Sequence, residues 1–308
     1  MERIQIPNVS LRQLQYIVAV ADLGGFRRAA DACGVAQPSL SVQVAAAEDA
    51  LGVQIFERDR RAVALSRAGA IVVAQARQVL LAARDLGEQA RQAGNLFRGT
   101  LRLGVIPTIG PYLLPDITPA LAHTFPDLTL HWTEARTEDL VQRVQHGALD
   151  AALLALEADI GDLAWEVLGR DVFVLAAGAG HPLVQPAARA RPDVLAGANV
   201  LLLDDGHCFR DQALNVCAQS GAREQSFRAT SLATLVQMVS AGAGVTLLPS
   251  IAVAVENRRG QLGVRRFAPP EPGRTLALAW RHGCALDAAL RALAATIRTA
   301  LRGQLKAS

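Results

Sequence analysis

Two of the four cysteines, Cys208 and Cys217, lie nine positions apart in a segment that opens Asp205-Gly206-His207-Cys208-Phe209-Arg210-Asp211-Gln212-Ala213. A thiol beside a histidine and an arginine can ionise, attack an electrophile and then couple to a second thiol. On a continuous α-helix nine residues rise about 13 Å and end facing opposite ways. That separation exceeds the roughly 7 Å between Cα atoms that a disulfide spans. A bond between these thiols therefore requires the segment to refold, which is the geometry of a redox switch and not of a structural staple. Cys33 and Cys284 have no such setting and read as small buried hydrophobes.

The chain has 308 residues, enough for two or three domains, and 51% apolar residues to fill their cores. It holds no apolar run of transmembrane length, and Met1-Glu2-Arg3 is not followed by a secretory h-region. The cysteine spacing does not resemble a secreted disulfide framework, so a cytoplasmic location is expected. A net charge of +3 is mild, and Lys306 is the one lysine among the basic residues. No zinc-type or phosphate-loop motif occurs, so neither a metal nor a cofactor is expected. His123, His131, His146, His181 and His282 read as structural.

Ser10-Leu11-Arg12-Gln13 is a capping box that opens a helix. Gly24-Gly25 ends it, a short helix runs from Phe26 to Ala32, and Pro38 sits in the first turn of the next. Leu40, Val44, Ala47 and Leu51 give that helix one buried face, leaving Ser39, Ser41, Val42 and Gln43 outward. Two short helices around a glycine turn predict a helix-turn-helix, and the alternation from Phe56 to Leu65 predicts a small hairpin wing. Ser66 caps a long helix in which Val72, Ala76, Val79, Ala83, Leu86, Ala90, Ala93 and Phe97 keep a 4-3 spacing. Such a seam predicts dimerisation through this helix. From Leu101 onward, short apolar runs at Leu101–Ile106, Ala151–Leu156, Val172–Ala176, Val200–Leu203 and Val245–Leu248 alternate with helical segments. They predict an α/β region with largely parallel sheets, in two lobes with a ligand crevice. The expected domains are residues 1–65, 66–98 and 99–308.

Several blocks resemble the LysR-type transcriptional regulators. They are Phe26-Arg27-Arg28-Ala29-Ala30 with Ala36-Gln37-Pro38-Ser39-Leu40-Ser41, then Leu51 to Arg58, Leu65 to Gly69, and Ala241 to Pro249. Ile106 to Pro115, Asp205 to Cys217 and Phe227 to Leu232 are similar to the peroxide-sensing OxyR group of that family. The resemblance covers essentially the whole chain. It implies a multi-domain protein: a winged helix-turn-helix, a long linker helix, and a two-lobed α/β effector domain like a periplasmic binding protein. Promoter DNA would meet Arg27, Arg28, Gln37, Pro38, Ser39, Ser41, Gln43, Arg58, Arg60 and Arg61. One departure is the uncharged Val44-Ala45-Ala46-Ala47 before Glu48, where the family usually carries basic residues. Residues 1–69 hold eight arginines against seven acids. Phosphate contact would then lean on the wing arginines.

The same resemblance implies the site chemistry. Cys208 is the candidate peroxidatic thiol and Cys217 the resolving one. A thiolate attacks more readily than a thiol, whose ordinary pKa is about 8.5, so a nearby cation is expected. Arg274 matches the family's position, and Arg210 is a local alternative. Thr108, Thr137 and His207 fit the donors that the departing hydroxide needs. Asp211 belongs in a hydrogen-bond network that positions its neighbours. Thr108 as a mere helix cap and His207 as a mere turn residue are the plain alternatives. A disulfide closing about ten residues contributes roughly 2.5–3 kcal/mol, comparable with unpacking a short helix. The expected function is a DNA-binding regulator, not an enzyme, that senses hydrogen peroxide. It would act as a homodimer or dimer of dimers, with RNA polymerase as a further partner. The alternative is a regulator of the same build that answers a metabolite held between the lobes, its cysteines idle. A thiol peroxidase needs neither the helix-turn-helix nor the heptad helix.

Overall fold

The computed structural model describes residues 7–58, 63–92, 97–218 and 220–306, leaving aside the side chains of Arg58, Arg91 and Gln92. They fall into two compact units, Met1–Arg91 and Gln92–Ser308.

In the first unit, α1 (Leu11–Leu23) starts at the Ser10–Gln13 capping box and stops at Gly24 in the left-handed conformation. Helices α2 (Phe26–Cys33) and α3 (Gln37–Leu51) follow. Their apolar faces meet over Ile17, Val20, Ala30, Leu40 and Val44, all essentially without exposure. Strands β1 (Phe56–Arg58) and β2 (Val63–Leu65) form the antiparallel wing, with Phe56 opposite Leu65. Glu48, the acid after the uncharged stretch, anchors this wing: its Oε1 accepts from the Ile55 and Phe56 amides at 2.7 and 3.1 Å. Ser66 caps α4 (Arg67–Gln92) by accepting from the Gly69 amide and also donates to the Gln54 carbonyl. Gly69 is required there, because a Cβ would fall 2.0 Å from the Ile55 carbonyl oxygen. An Arg77–Asp22 ion pair ties α4 to α1.

The long apolar seam divides between buried and exposed positions. Val72 packs on the core of the first unit beside buried Val73, and Ala76 is buried too. Val79 and Leu86 are 45% and 70% exposed, Ala83 is half-buried, and Ala90 is exposed. Ala93 lies outside the described residues. Phe97 is not a seam residue of α4: it comes after that helix and stacks on Phe125, ring centroids 4.7 Å apart, in the core of the second unit.

The second unit runs β3 (Gly99–Val105), α5 (Gly110–Thr124), β4 (Leu128–Glu134), α6 (Thr137–Gln145), β5 (Ala151–Ala155) and β6 (Leu163–Gly178). It continues with β7 (Asn199–Leu203), α7 (Cys208–Ala218), β8 (Arg223–Ala229), α8 (Leu232–Ser240), β9 (Val245–Pro249) and α9 (Ser250–Glu256). It ends with β10 (Leu262–Arg266), β11 (Gly273–Arg281) and α10 (Asp287–Ala300). The strand path is β4-β3-β5-β11-β6-β9-β7-β8, with β10 also on β6. The expectation of largely parallel sheets needs correction. β3 pairs in parallel with β4 and β5, and β7 with β8 and β9, but every pairing of β6 and β11 is antiparallel. These two long strands carry the chain across, and an apolar run shows no direction in its sequence.

Two apolar cores result. One gathers β3, β5, α5, α6 and α10, the other β7, β9, α7 and α8. β6 belongs to both: Leu163–Val172 lies against β11, and Phe173–Gly178 against β9 and β10. Among the described residues, no helix is long and apolar enough to cross a membrane.

Candidate functional site

Cys208 opens α7, where unpaired backbone N–H groups form the positive end of the helix. It is half-buried and packs against the first core. It also lines a cavity of about 560 Å³ between the two cores, with Gly206 and Asp211 on one side and Thr137, Glu138, Glu157 and Asp159 on the other. Thr137 begins α6, so two helix N-termini converge on this space. Thr137 is 6% exposed, and its hydroxyl has no hydrogen-bond partner. That is an unpartnered donor and acceptor on the cavity that Cys208 also lines.

Thr108 and Arg274 form a second cluster, next to Phe209 in the first turn of α7. Arg274 is wholly buried and donates from Nη1 to Thr108 Oγ1 at 2.7 Å, and from Nη2 to the Thr108 carbonyl at 2.9 Å. Because the Thr108 hydroxyl accepts from Arg274, its own proton remains available to another acceptor. Thr108 is no helix cap, since α5 starts at Gly110 with Ile109 before it. The Arg274 guanidinium lies 5.6 Å from the ring centre of Phe209, the residue after Cys208. Its charge is matched by Asp171, equally buried, at 3.0 Å. Asp171 also accepts from Ser250 Oγ and the Ile251 amide. Sequence reasoning missed Asp171 and Ser250; the only trace of Asp171 is one acid heading the apolar run Val172–Ala177.

His207 is 7% exposed. Burial first, and the charge of Arg136 second, push its pKa below 6.5, with Asp204 opposing. The imidazole is thus neutral at neutral pH, and its one N–H is directed to the Thr230 backbone carbonyl, against the expectation that it serves the departing hydroxide. Asp211 lines the cavity, but no hydrogen bond of its side chain joins it to another described residue, so the expected network through it does not form. Arg210 is not the cation of the site. Its guanidinium is held by Asp205 at 3.0 Å, Glu224 at 2.7 Å and the Leu203 carbonyl at 3.2 Å.

At the far end of α7, Cys217 is buried in the second core. Burial, with a smaller push from Glu224, raises its thiol to about 11. Cys284 is buried in the first core and Cys33 packs beside the core of the first unit, as expected of small hydrophobes. All four cysteines are thiols. No group of three ligating side chains suits a metal among the described residues.

On the first unit, Gln37, Pro38, Ser39 and Gln43 are exposed along α3, with Ser41 half-buried and Val42 64% exposed. Arg27 and Arg28 are exposed on α2. The Arg58 side chain, Arg60 and Arg61 lie outside the described residues.

Known proteins share this plan. Residues 11–70 match the bacterial regulatory helix-turn-helix of the lysR family, and residues 94–302 match the LysR substrate binding domain. A hydrogen peroxide-inducible genes activator of Pectobacterium carotovorum is 44% identical over 97% of this chain and 99% of its own length. The DNA-binding transcriptional dual regulator OxyR of Escherichia coli K12 is 43% identical over 96% of this chain and 97% of its own. Among solved structures, a cysteine-to-aspartate variant of full-length OxyR from Pseudomonas aeruginosa is 38% identical. It covers 94% of this chain and 95% of that one, with a TM-score of 0.78. A hydrogen peroxide-bound cysteine-to-serine variant of Corynebacterium glutamicum OxyR is 31% identical, covers 97% and 95%, and has a TM-score of 0.65. The chain belongs to the LysR family of DNA-binding transcription regulators and is a homologue of its hydrogen peroxide-inducible activators.

Proposed function

We propose that the chain senses hydrogen peroxide through Cys208 and Cys217 and changes its promoter binding in response. The observation that carries this reading is the placement of Cys208 at the start of α7, on a cavity that it shares with the unpartnered Thr137 hydroxyl, with Cys217 buried at the other end. The Cys208 thiolate attacks one peroxide oxygen: an S–O bond forms, the O–O bond breaks, and sulfur supplies two electrons. The departing hydroxide leaves as water once it takes a proton, with the Thr108 and Thr137 hydroxyls as the donors at hand and His207 ordering the turn through the Thr230 backbone. The sulfenic acid then condenses with the Cys217 thiol, releasing a second water.

The helix forbids that bond, so the stretch from Phe209 to Val216 must unwind. The change in packing of this unit moves the DNA-binding heads of an assembled homodimer, or dimer of dimers, in the cytoplasm, and so alters how RNA polymerase is engaged. Arg27, Arg28, Gln37, Ser39, Ser41 and Gln43 meet DNA, with α3 in the major groove and Arg58, Arg60 and Arg61 on phosphates. Exposed Val79 and Leu86 on α4 give the seam its partner-seeking face. Leu86→Lys is expected to yield monomers in sedimentation, and an unchanged mass would place the contact elsewhere.

A cavity this large also suits a regulator that answers a metabolite, with its cysteines idle. Mass spectrometry of thiols after brief, low-dose peroxide separates the two. A Cys208–Cys217 bond, with Cys33 and Cys284 unmodified, supports the peroxide reading. A Cys208→Ser variant that still answers peroxide on promoter DNA sinks it.

A further inference from the structure

Arg136 stands immediately before α6, next to Thr137, and its guanidinium lies over Gly206. Residue 206 has φ of +85°, and a Cβ there would sit 2.6 Å from Arg136 Nη1. Glycine therefore serves the left-handed turn and also leaves the space that the guanidinium fills. The charge is felt next door, since it is the second cause, after burial, that disfavours protonation of His207. The other arginines near the thiol are compensated, Arg274 by Asp171 and Arg210 by Asp205 and Glu224. Among the described residues, no carboxylate pairs with Arg136.

We infer that Arg136 is a positioning residue for the oxidation of Cys208, supplying the uncompensated positive charge at the turn Gly206-His207-Cys208. The inference rests on the reading of Cys208 as the peroxidatic thiol. In that step negative charge starts on sulfur and passes to the departing oxygen as the S–O bond forms and the O–O bond breaks. A cation held over residue 206 favours both ends of that transfer. It acts against the carboxylates that face the same cavity, Glu138, Glu157, Asp159 and Asp211, and against Asp204, which acts on the imidazole. The neutralised Arg274 cannot supply this field; its hydrogen bonds fix Thr108 instead.

The test measures the second-order rate of sulfenic acid formation by peroxide in full-length protein carrying Cys217→Ser, near pH 7 and at low salt. Arg136→Gln is expected to slow it roughly three- to tenfold, the effect of one charge several ångströms away in a half-wet site. Arg136→Glu should slow it further, and Arg136→Lys should retain most of the rate. Near 1 M salt the gap between the parent and Arg136→Gln should narrow, because the contribution is a screened charge. The His207 ring signals should titrate at higher pH in Arg136→Gln. The proposal is overturned if Arg136→Gln reacts within twofold of the parent, or if Arg136→Lys loses as much as Arg136→Gln. Failure of the parent itself to form sulfenic acid at Cys208 would instead discard the underlying reading of the thiol.

Discussion

The first and last turns of α7 carry the same side chain in opposite settings. At the first turn Cys208 meets a cavity, a helix N-terminus, an unpartnered threonine hydroxyl and a neutral imidazole. At the last turn Cys217 meets the apolar residues of the second core, and burial raises its thiol to about 11. One end opens its thiol to a polar cavity, and burial at the other keeps the sulfur protonated. The helix between them is also divided: Cys208 packs on the first core, while Phe209, Ala213 and Cys217 belong to the second. Bringing the sulfurs together therefore strips Cys217 from its core and breaks the intervening helical hydrogen bonds. A disulfide over about ten residues repays roughly 2.5–3 kcal/mol of that cost. In the proposed mechanism the contrast between the ends sets the order of the chemistry, and the shared helix makes its outcome conformational.

The largest expected effect removes one end at a time. Cys208→Ser should abolish peroxide-dependent change in promoter binding, whereas Cys217→Ser should still be oxidised and accumulate a sulfenic acid that dimedone traps. Equal loss in both, with no dimedone adduct, would mean that the ends are not ordered as described. Next in size is the support of the first turn. Arg274→Met leaves Asp171 buried without its partner and the Thr108 hydroxyl without its donor. Breaking a pair of this kind costs about 3–5 kcal/mol. Denaturant titration of the variant should show that loss, and a change under about 1 kcal/mol would show that the pair is not what holds the turn.

How much of this was legible in the sequence differs between the same two ends. The cysteine spacing, the apolar setting of Cys217 and the glycine-histidine turn before Cys208 are local, and local features can be read from neighbours in the chain. The helix-turn-helix was equally legible, because the capping box, the glycine stops and Pro38 in the first turn of α3 each act within a few residues. Asp171 and Arg136 were not legible. Their partners lie 103 and 70 positions away, at Arg274 and Gly206, and are brought close only by the antiparallel crossing of β6 and β11 and by the approach of α6 to α7. Phe97 shows the opposite error: a regular spacing carried it into the seam, although its ring belongs to another core.

The difference between the thiols can be measured directly in the reduced protein. An ordinary thiol of pKa about 8.5 is about one-quarter ionised near pH 8, and one at about 11 is about one-thousandth ionised. Iodoacetamide should therefore modify Cys217 roughly two-hundredfold more slowly than an exposed thiol, before any further loss from burial. Unfolding in denaturant should erase the difference. A Cys217 that alkylates as fast as Cys208 in the folded protein would remove the protected end from the comparison.

The smallest effect concerns the imidazole at the Cys208 end. Burial and the charge of Arg136 place the His207 pKa in the folded state below its ordinary 6.5. In the window between those two values the unfolded chain binds the proton more readily than the folded one, so stability rises with pH through that window. The contribution is fully present above about pH 6.5 and is lost as pH falls through the folded-state value. Acidification should thus lower the melting temperature of the parent more than that of His207→Gln, which has no proton to gain. The gap should be at most roughly 2–4 °C per kcal/mol for a unit of this size, and it should open above the range where carboxylates titrate, so that the two sources separate. Parallel melting curves from about pH 7.5 to 5.5 would show that His207 is solvated well enough to charge freely. The turn before Cys208 would then present a cation where a neutral ring is expected, and the contrast with the protected Cys217 end would rest on the thiols alone.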